Sequence, residues 1–423
     1  MDVQVSALGA IAALAIAIIL ILRKVSPAYG MIAGAFIGSL IGGVGITDSV
    51  TLMMDGAKNI IPAVLRILAA GVLAGVLIES GAASVIAETI VKKLGERKAL
   101  LALAIATMLL TMVGVFIDVA VITTAPIALA IASRAKISKT AILIAMIGGG
   151  KAGNIMSPNP NAIAAADAFK VPLTSIMAAG IIPAIFGVIV TYFIAKKLVK
   201  KGSLVQLDEI KVQQDEQLPR FILAITAPLI AIILLALRPI FDINIDPMIA
   251  LPIGGIIGAL LMGRAKKINE YTITGLNKMS GVAIMLIGTG TLAGIIANSG
   301  LKEVVIQMLD GLGLPAYLLA PVSGIFMSAA TASTTAGTAV ASSVFSLTIL
   351  QLGISSLAGA AMIHAGATVL DHLPHGSFFH ATGGSVSMGM KERLKLIPYE
   401  TLIGFVLALV STLIFGVFKL FGY

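Results

Sequence analysis

The stretch GGGKAGNIMSPNPN (Gly148–Asn161) interrupts an apolar run that extends from Thr140 to Phe169. Glycine, proline and asparagine at this density are not expected to hold a regular helix, and the backbone groups they free need partners in protein or water. The rest of the chain puts that break at membrane depth. Of 423 residues, 58% are hydrophobic and 12% charged, against roughly 45–50% and 25% in a soluble globular chain. The 44 glycines suit helices that pack backbone to backbone in lipid. These features describe an all-α polytopic membrane protein. The absence of cysteine excludes disulfide frameworks, Cys-ligated zinc and thiol catalysis. No Walker motif is present, which argues against ATP-driven transport by this chain alone.

A spanning helix needs about 20 apolar residues. Val5–Leu22 qualifies and is followed at once by Arg23 and Lys24, a retained first span with its N-terminus outside. Ala28–Ile46 returns outward, Ile60–Ile78 comes back, and the basic, amphipathic Ser84–Lys98 lies on the cytosolic surface. Ala99–Ser133 has basic residues at both ends, so both ends are inside. It is two spans or a re-entrant hairpin whose tip, near Phe116–Ala125, stays at membrane depth. The interrupted run Thr140–Phe169 then goes out, and Ser175–Ala195 returns to Lys196, Lys197, Lys200 and Lys201. Residues 196–220 form the long polar segment, a cytosolic linker.

The second half follows the same plan. Phe221–Leu237, Met248–Met262 and Val282–Ala297 are spans, and an amphipathic Leu301–Leu312 follows. Pro315–Leu350 carries SAATASTTAGTAVASS (Ser328–Ser343) in its middle and has both ends outside. Ser355–Met388 is broken at DHLPHG (Asp371–Gly376), and Leu402–Phe418 exits. GVLAGVLIESG (Gly71–Gly81) matches GTLAGIIANSG (Gly290–Gly300) at six of eleven positions, at an offset of 219 that Gly56 and Gly275 also keep. Residues 1–195 and 221–423 therefore read as two repeats, each with five spans plus a hairpin (99–133 and 315–350). An odd number of crossings inverts the second copy, giving about 10 spans, two re-entrant hairpins, two discontinuous helices and both termini outside.

Inverted repeats with two broken helices and two polar hairpin tips are the signature of secondary transporters. A solute site at the midplane needs backbone dipoles and hydroxyls that a continuous helix has already satisfied. Free N–H groups at half-helix N-termini favour a carboxylate. At GGGKAGNIMSPNPNAIAAADAF (Gly148–Phe169), HAGATVLDHLPHG (His364–Gly376) and the matched glycine motifs, the chain resembles the gluconate permease (GntP) family of the ion transporter superfamily. The resemblance covers nearly the whole chain. It implies proton-coupled uptake of gluconate or a related small hydroxy-carboxylate through the cell membrane; Na⁺ as the driving ion is the alternative that the residues leave open. By superfamily analogy it also implies a homodimer whose hairpin-bearing transport domains move against a dimeric scaffold.

The residues themselves narrow the site. Asp118 is deep, about 16–19 residues from either basic flank, and intramembrane acids are costly enough to be functional. Asp371 lies among His364, His372, His375 and His380, the four histidines of the chain. Asp371, Asp118, His364 and His372 are the proton-coupling candidates, and His380 reads as a helix cap. A metal at Asp371, His372 and His375 is a weaker reading, without a closed ligand set. Asn154, Ser157, Asn159 and Asn161 at the first break, with Thr331, Ser333, Thr334 and Thr335 at the second tip and His375, are candidate substrate contacts. Capping and close packing are their competing uses. Lys151 could neutralise a substrate carboxylate, and Arg66 could pair with Asp118 or meet substrate. The expected partners are thus a small carboxylate, protons and lipid, with no cofactor, metal or nucleic acid. A cation/proton antiporter on the same repeats is the alternative reading.

Overall fold

The structure is a computed structural model that describes residues 4–95, 98–206 and 218–420. Its described residues are helical and connected by short turns, with two isolated β-bridges, Val5 with Ser299 and Ser138 with Leu204. The first half comprises α1 (Ala7–Leu22), α2 (Pro27–Ile41), α3 (Ile46–Glu79), α4 (Ala82–Leu94), α5 (Ala99–Met112) and α6 (Ile117–Ala135). It continues with α7 (Lys139–Asn154), α8 (Pro160–Phe169), α9 (Leu173–Ala179) and α10 (Ile181–Leu198). After residues 207–217 of the expected linker, which lie outside the described residues, come α11 (Phe221–Ala224), α12 (Thr226–Phe241), α13 (Pro247–Leu261) and α14 (Ile268–Ala297). The chain then forms α15 (Leu301–Leu312), α16 (Leu319–Thr331), α17 (Thr334–Gln351), α18 (Ser356–Gly366), α19 (Ser377–Ser385), α20 (Met390–Leu394) and α21 (Ile397–Thr412).

Five helical stretches among the described residues are long and apolar enough to cross a bilayer, and six shorter apolar helices accompany them. Outward-facing Ile185, Phe186, Phe193, Leu229 and Ile233 give these helices a lipid-compatible surface. Two spans are longer than their apolar cores. The third begins at Ile46 rather than Ile60, and α14 at Ile268 rather than Val282. Charge marked where hydropathy falls, but it did not end the helix. Asp55 and Lys58 pair at 2.9 Å on the exposed face of α3, and Glu270 is exposed on α14.

α3 and α14 pack along each other through glycines. A Cβ on Gly56 would lie 2.2 Å from the Gly290 carbonyl oxygen, and one on Gly275 would lie 1.9 Å from that of Gly71. Neither contact leaves room for a side chain, and small-residue stripes of this kind drive association where lipid removes the hydrophobic force. α2 and α13 flank this pair, and α1 and α12 pack on α2 and α13.

The two hairpins are α5–α6 and α16–α17. Their first arms, 14 and 13 residues, rise about 20 Å at 1.5 Å per residue, too short to cross roughly 30 Å of hydrocarbon. The first tip turns at 113–116 through Gly114 (φ +105°), slightly earlier than the expected Phe116–Ala125, and Asp118 falls in the first turn of α6. The second turns at Ala332, a left-handed residue with φ +46°, and at Ser333, whose hydroxyl caps α17 by accepting from Ala336 N.

Both interrupted helices are present, with shifted boundaries. The first was expected to lose helicity from Gly148, but α7 runs to Asn154. Its glycines serve close packing: a Cβ on Gly149 would meet Ala104 O at 2.0 Å, and one on Gly153 would meet Met108 O at the same distance. The second break opens at Ala367, four residues before Asp371. There a Cβ on Gly366 would meet Pro321 O at 2.3 Å. In each half, therefore, glycines press the helix before the break onto the first arm of the hairpin.

Candidate functional site

The first break owes its shape to asparagine chemistry. Pro160 begins α8 where its missing N–H is harmless, and Asn159 caps the helix by accepting from Ala162 N at 3.0 Å. The Asn159 amide also donates to the backbone and side-chain oxygens of Asn154, each at 2.7 Å. One side chain thus staples the two half-helices together.

The second break carries charge. Lys151, fully buried at the end of α7, reaches across to it. Its Nζ lies 2.6 Å from Asp371 Oδ1, 2.6 Å from the Thr368 carbonyl oxygen and 3.1 Å from His372 Nδ1. The ammonium's three protons match these three acceptors. The other carboxylate oxygen of Asp371 accepts from Thr334 Oγ1 at 2.5 Å. His372 Nε2 lies 3.1 Å from the Ile397 carbonyl oxygen, which can only accept, so Nε2 carries the hydrogen and the Nδ1 lone pair of the neutral ring accepts from Lys151. A second buried pair, Arg393 with Glu400, anchors α19 and α20 to α21, and Arg393 also donates to Phe379 O at 3.1 Å.

Both breaks and both tips meet at one cavity of about 340 Å³. Asp118 of the first tip, Asn154 and Asn161 of the first break, Ser333, Thr334 and Thr335 of the second tip, and Asp371 of the second break all line it. Thr335 Oγ1 donates to Asn161 Oδ1 at 2.6 Å, which joins the second tip to the first break. Lys278 and Val282 of α14 complete a further wall.

Other candidates lie behind this lining. Asn159 is occupied by the staple, and Ser157 is buried with no partner for its hydroxyl among the described residues. Thr331 donates back to Met327 O at 2.8 Å. His375 Nε2 is 3.2 Å from Ala330 O, and His380 Nε2 is 2.8 Å from Pro374 O, the capping position expected of it. His364 is buried beside a separate, water-sized space of about 10 Å³, with neither ring nitrogen hydrogen-bonded among the described residues.

Two expectations are corrected. Lys151 does not present its charge to a solute, because Asp371 holds it. Arg66 does not pair with Asp118. It pairs with Asp167 at the end of α8 and with Asp246 Oδ2 at 2.6 Å, and these hydrogen bonds hold the Asp246 carboxyl below its ordinary range. Asp246 in turn caps α13 through Met248 N at 2.8 Å. Lys278 escaped the sequence reading because the span was started at Val282. Its signal was a single lysine between Gly275 and the apolar run.

The GntP family permease pattern matches residues 5–418. The chain belongs to the GntP permease family. The permease is 70% identical to an uncharacterized transporter of Haemophilus influenzae, over 98% of this chain and 99% of the relative. It is also 23% identical to a high-affinity gluconate transporter of Escherichia coli, over 92% and 94% of the two chains. A gluconate permease of Bacillus licheniformis is 23% identical, over 88% and 90%. In fold, the permease is similar to the YdaH transporter of Alcanivorax borkumensis, whose crystal structure was described as having an unusual topology. The TM-score is 0.65 at 18% identity, over 90% of each chain. The permease is therefore a multi-pass membrane transporter and not an enzyme.

Proposed function

We propose that this permease is a secondary active symporter that couples protons to the uptake of gluconate or a related small hydroxy-carboxylate. The observation that carries the reading is the convergence of two hairpin tips and two helix breaks on one polar cavity. Hydroxyls and amides from Asn154, Asn161, Ser333, Thr334 and Thr335 offer the mixed donors and acceptors that a polyhydroxy acid needs.

Protons supply the drive in this reading. An anion entering alone is opposed by about 2.3 kcal/mol per charge per 100 mV, and one accompanying proton removes that cost for a monoanion. Asp371 and His372 are the proposed carrier. A proton arriving on His372 Nδ1 would displace the hydrogen bond from Lys151 and point instead at Asp371 Oδ1, 3.0 Å away. The Thr334 hydroxyl on the other carboxylate oxygen transmits that change to the cavity wall. Asp118, in the wall of the same cavity, is the second candidate.

We further propose two inverted repeats, 1–195 and 221–423, joined by a cytosolic linker, with both termini outside. The glycine contacts support this reading. Adding 219 to Gly56, Gly71 and Gly75 gives Gly275, Gly290 and Gly294, so the contact of Gly56 with Gly290 exchanges with that of Gly275 with Gly71. In this scheme the helices around α3 and α14 form the scaffold of a homodimer, and the hairpins and broken helices move against it.

The decisive experiment is uptake of labelled gluconate into proteoliposomes under an imposed pH gradient, with and without Na⁺. Saturable, pH-driven accumulation is expected. Asp371→Asn should abolish accumulation while leaving counterflow, and the Lys151→Met/Asp371→Asn pair, which removes both buried charges together, controls for folding. Wild-type pH-driven accumulation in both Asp371→Asn and Asp118→Asn would refute the coupling assignment. Cysteines at Ser203 and Asp242 should label from opposite sides, and same-sided labelling would refute the topology.

A further inference from the structure

The cavity must meet the charge of an anion, and the residues around it leave one means of doing so. Lys151, the nearer cation by sequence, is buried and shared among Asp371, Thr368 and His372, so it balances the protein's own carboxylate. Asp118 and Asp371 are the acids in the lining, and Lys278 is its one cation among the described residues. Lys278 is exposed, and no ion pair of it occurs among the described residues. It stands one helical turn before Val282 on α14, so a single stripe of that helix faces the cavity.

A lysine in the related segment of the first half, one position out of register, shows what is particular about this one. The segments GAKN (Gly56–Asn59) and GLNK (Gly275–Lys278) correspond at an offset of 219. Lys58 has Asp55 three residues before it and pairs with it at 2.9 Å. Three residues before Lys278 is Gly275, which is pressed against Gly71 and can carry no acid. Packing between α3 and α14 therefore closes that position to an acid, and Thr274, Gly281 and Val282, the other one-turn neighbours of Lys278, supply none.

We propose that Lys278 is the carboxylate-recognising and specificity-determining residue of the cavity. Its ammonium receives the substrate carboxylate from the α14 wall, while the tips and breaks bind the hydroxyls. This inference rests on the carboxylate reading above. It adds that the charge is read by the glycine-packed helix pair and the hydroxyl pattern by the hairpins and breaks.

The test is the KM for labelled gluconate in proteoliposomes of wild type, Lys278→Gln and Lys278→Arg, each at two ionic strengths. Loss of a charge-assisted hydrogen bond should raise KM about tenfold or more in Lys278→Gln, with Vmax changed far less. Lys278→Arg should stay within about threefold of wild type, because the charge and donors remain. Wild-type KM should rise with salt more steeply than that of Lys278→Gln. An unchanged KM in Lys278→Gln, with wild type active, would overturn the role of Lys278 and leave the transport reading standing. No saturable uptake by wild type of gluconate or of any four- to six-carbon hydroxy acid would overturn both.

Discussion

Each of the two helix breaks follows a helix pressed by glycine onto a hairpin arm, yet the two are built from different chemistry. The first is neutral: Asn159 caps α8 and clasps Asn154, so its geometry is held by amide hydrogen bonds within a few residues. The second has no side-chain cap on α19 and holds a buried carboxylate and imidazole instead. Its neutrality is borrowed, because the balancing cation is Lys151 at the edge of the first break. One half can thus supply a rigid frame while the other keeps a titratable group, and the ion pair makes each depend on the other.

Breaking that dependence should have the largest effect. Lys151→Met leaves Asp371 buried without its cation, which should cost about 3–5 kcal/mol of stability, read as a large drop in thermal unfolding temperature in detergent. Adding Asp371→Asn should recover most of that loss. If the double variant is no more stable than Lys151→Met, the two breaks are not linked through charge.

A second comparison concerns what the breaks share. Gly149→Ala and Gly366→Ala each drive a methyl into a backbone carbonyl of the neighbouring hairpin arm, at 2.0 Å and 2.3 Å. Each should destabilise by about 1–3 kcal/mol, because a backbone atom cannot swing aside as a side-chain end can. Wild-type melting in one and not the other would show that the hairpins are braced differently in the two halves.

The smallest effect is expected at the amide staple. Asn159→Ala should cost about 1–2 kcal/mol through the lost cap and the unpaired Asn154 groups. The same substitution should raise the uptake KM by only a few fold, since Asn159 lies behind the cavity lining. A collapse of uptake with intact thermal stability would instead place Asn159 in contact with substrate.

Much of this organisation was legible in the residues. The apolar runs, the basic flanks and the Gly/Pro/Asn and DHLPHG interruptions disclosed the helices, hairpins and breaks. Boundaries were harder. Hydropathy starts the third span at Ile60, whereas helix propensity and an Asp55–Lys58 pair carry α3 back to Ile46. The run Gly148–Gly150 read as a helix breaker, but tight packing on α5 favours glycine inside a helix.

What the sequence determined by itself is the class of molecule, since composition and periodicity are local properties that a bilayer reads directly. It also named the polar residues that line the cavity apart from Lys278 and Ser377, because intramembrane polar groups are too costly to be scattered. Only the tertiary structure decided the partners. Lys151 meets Asp371 across 220 residues and Arg66 meets Asp246 across 180. Such pairings depend on which helix faces which, and no spacing along the chain encodes that. The same holds for Lys278, an unremarkable lysine until α14 turns it toward the cavity, with no acid one helical turn to either side.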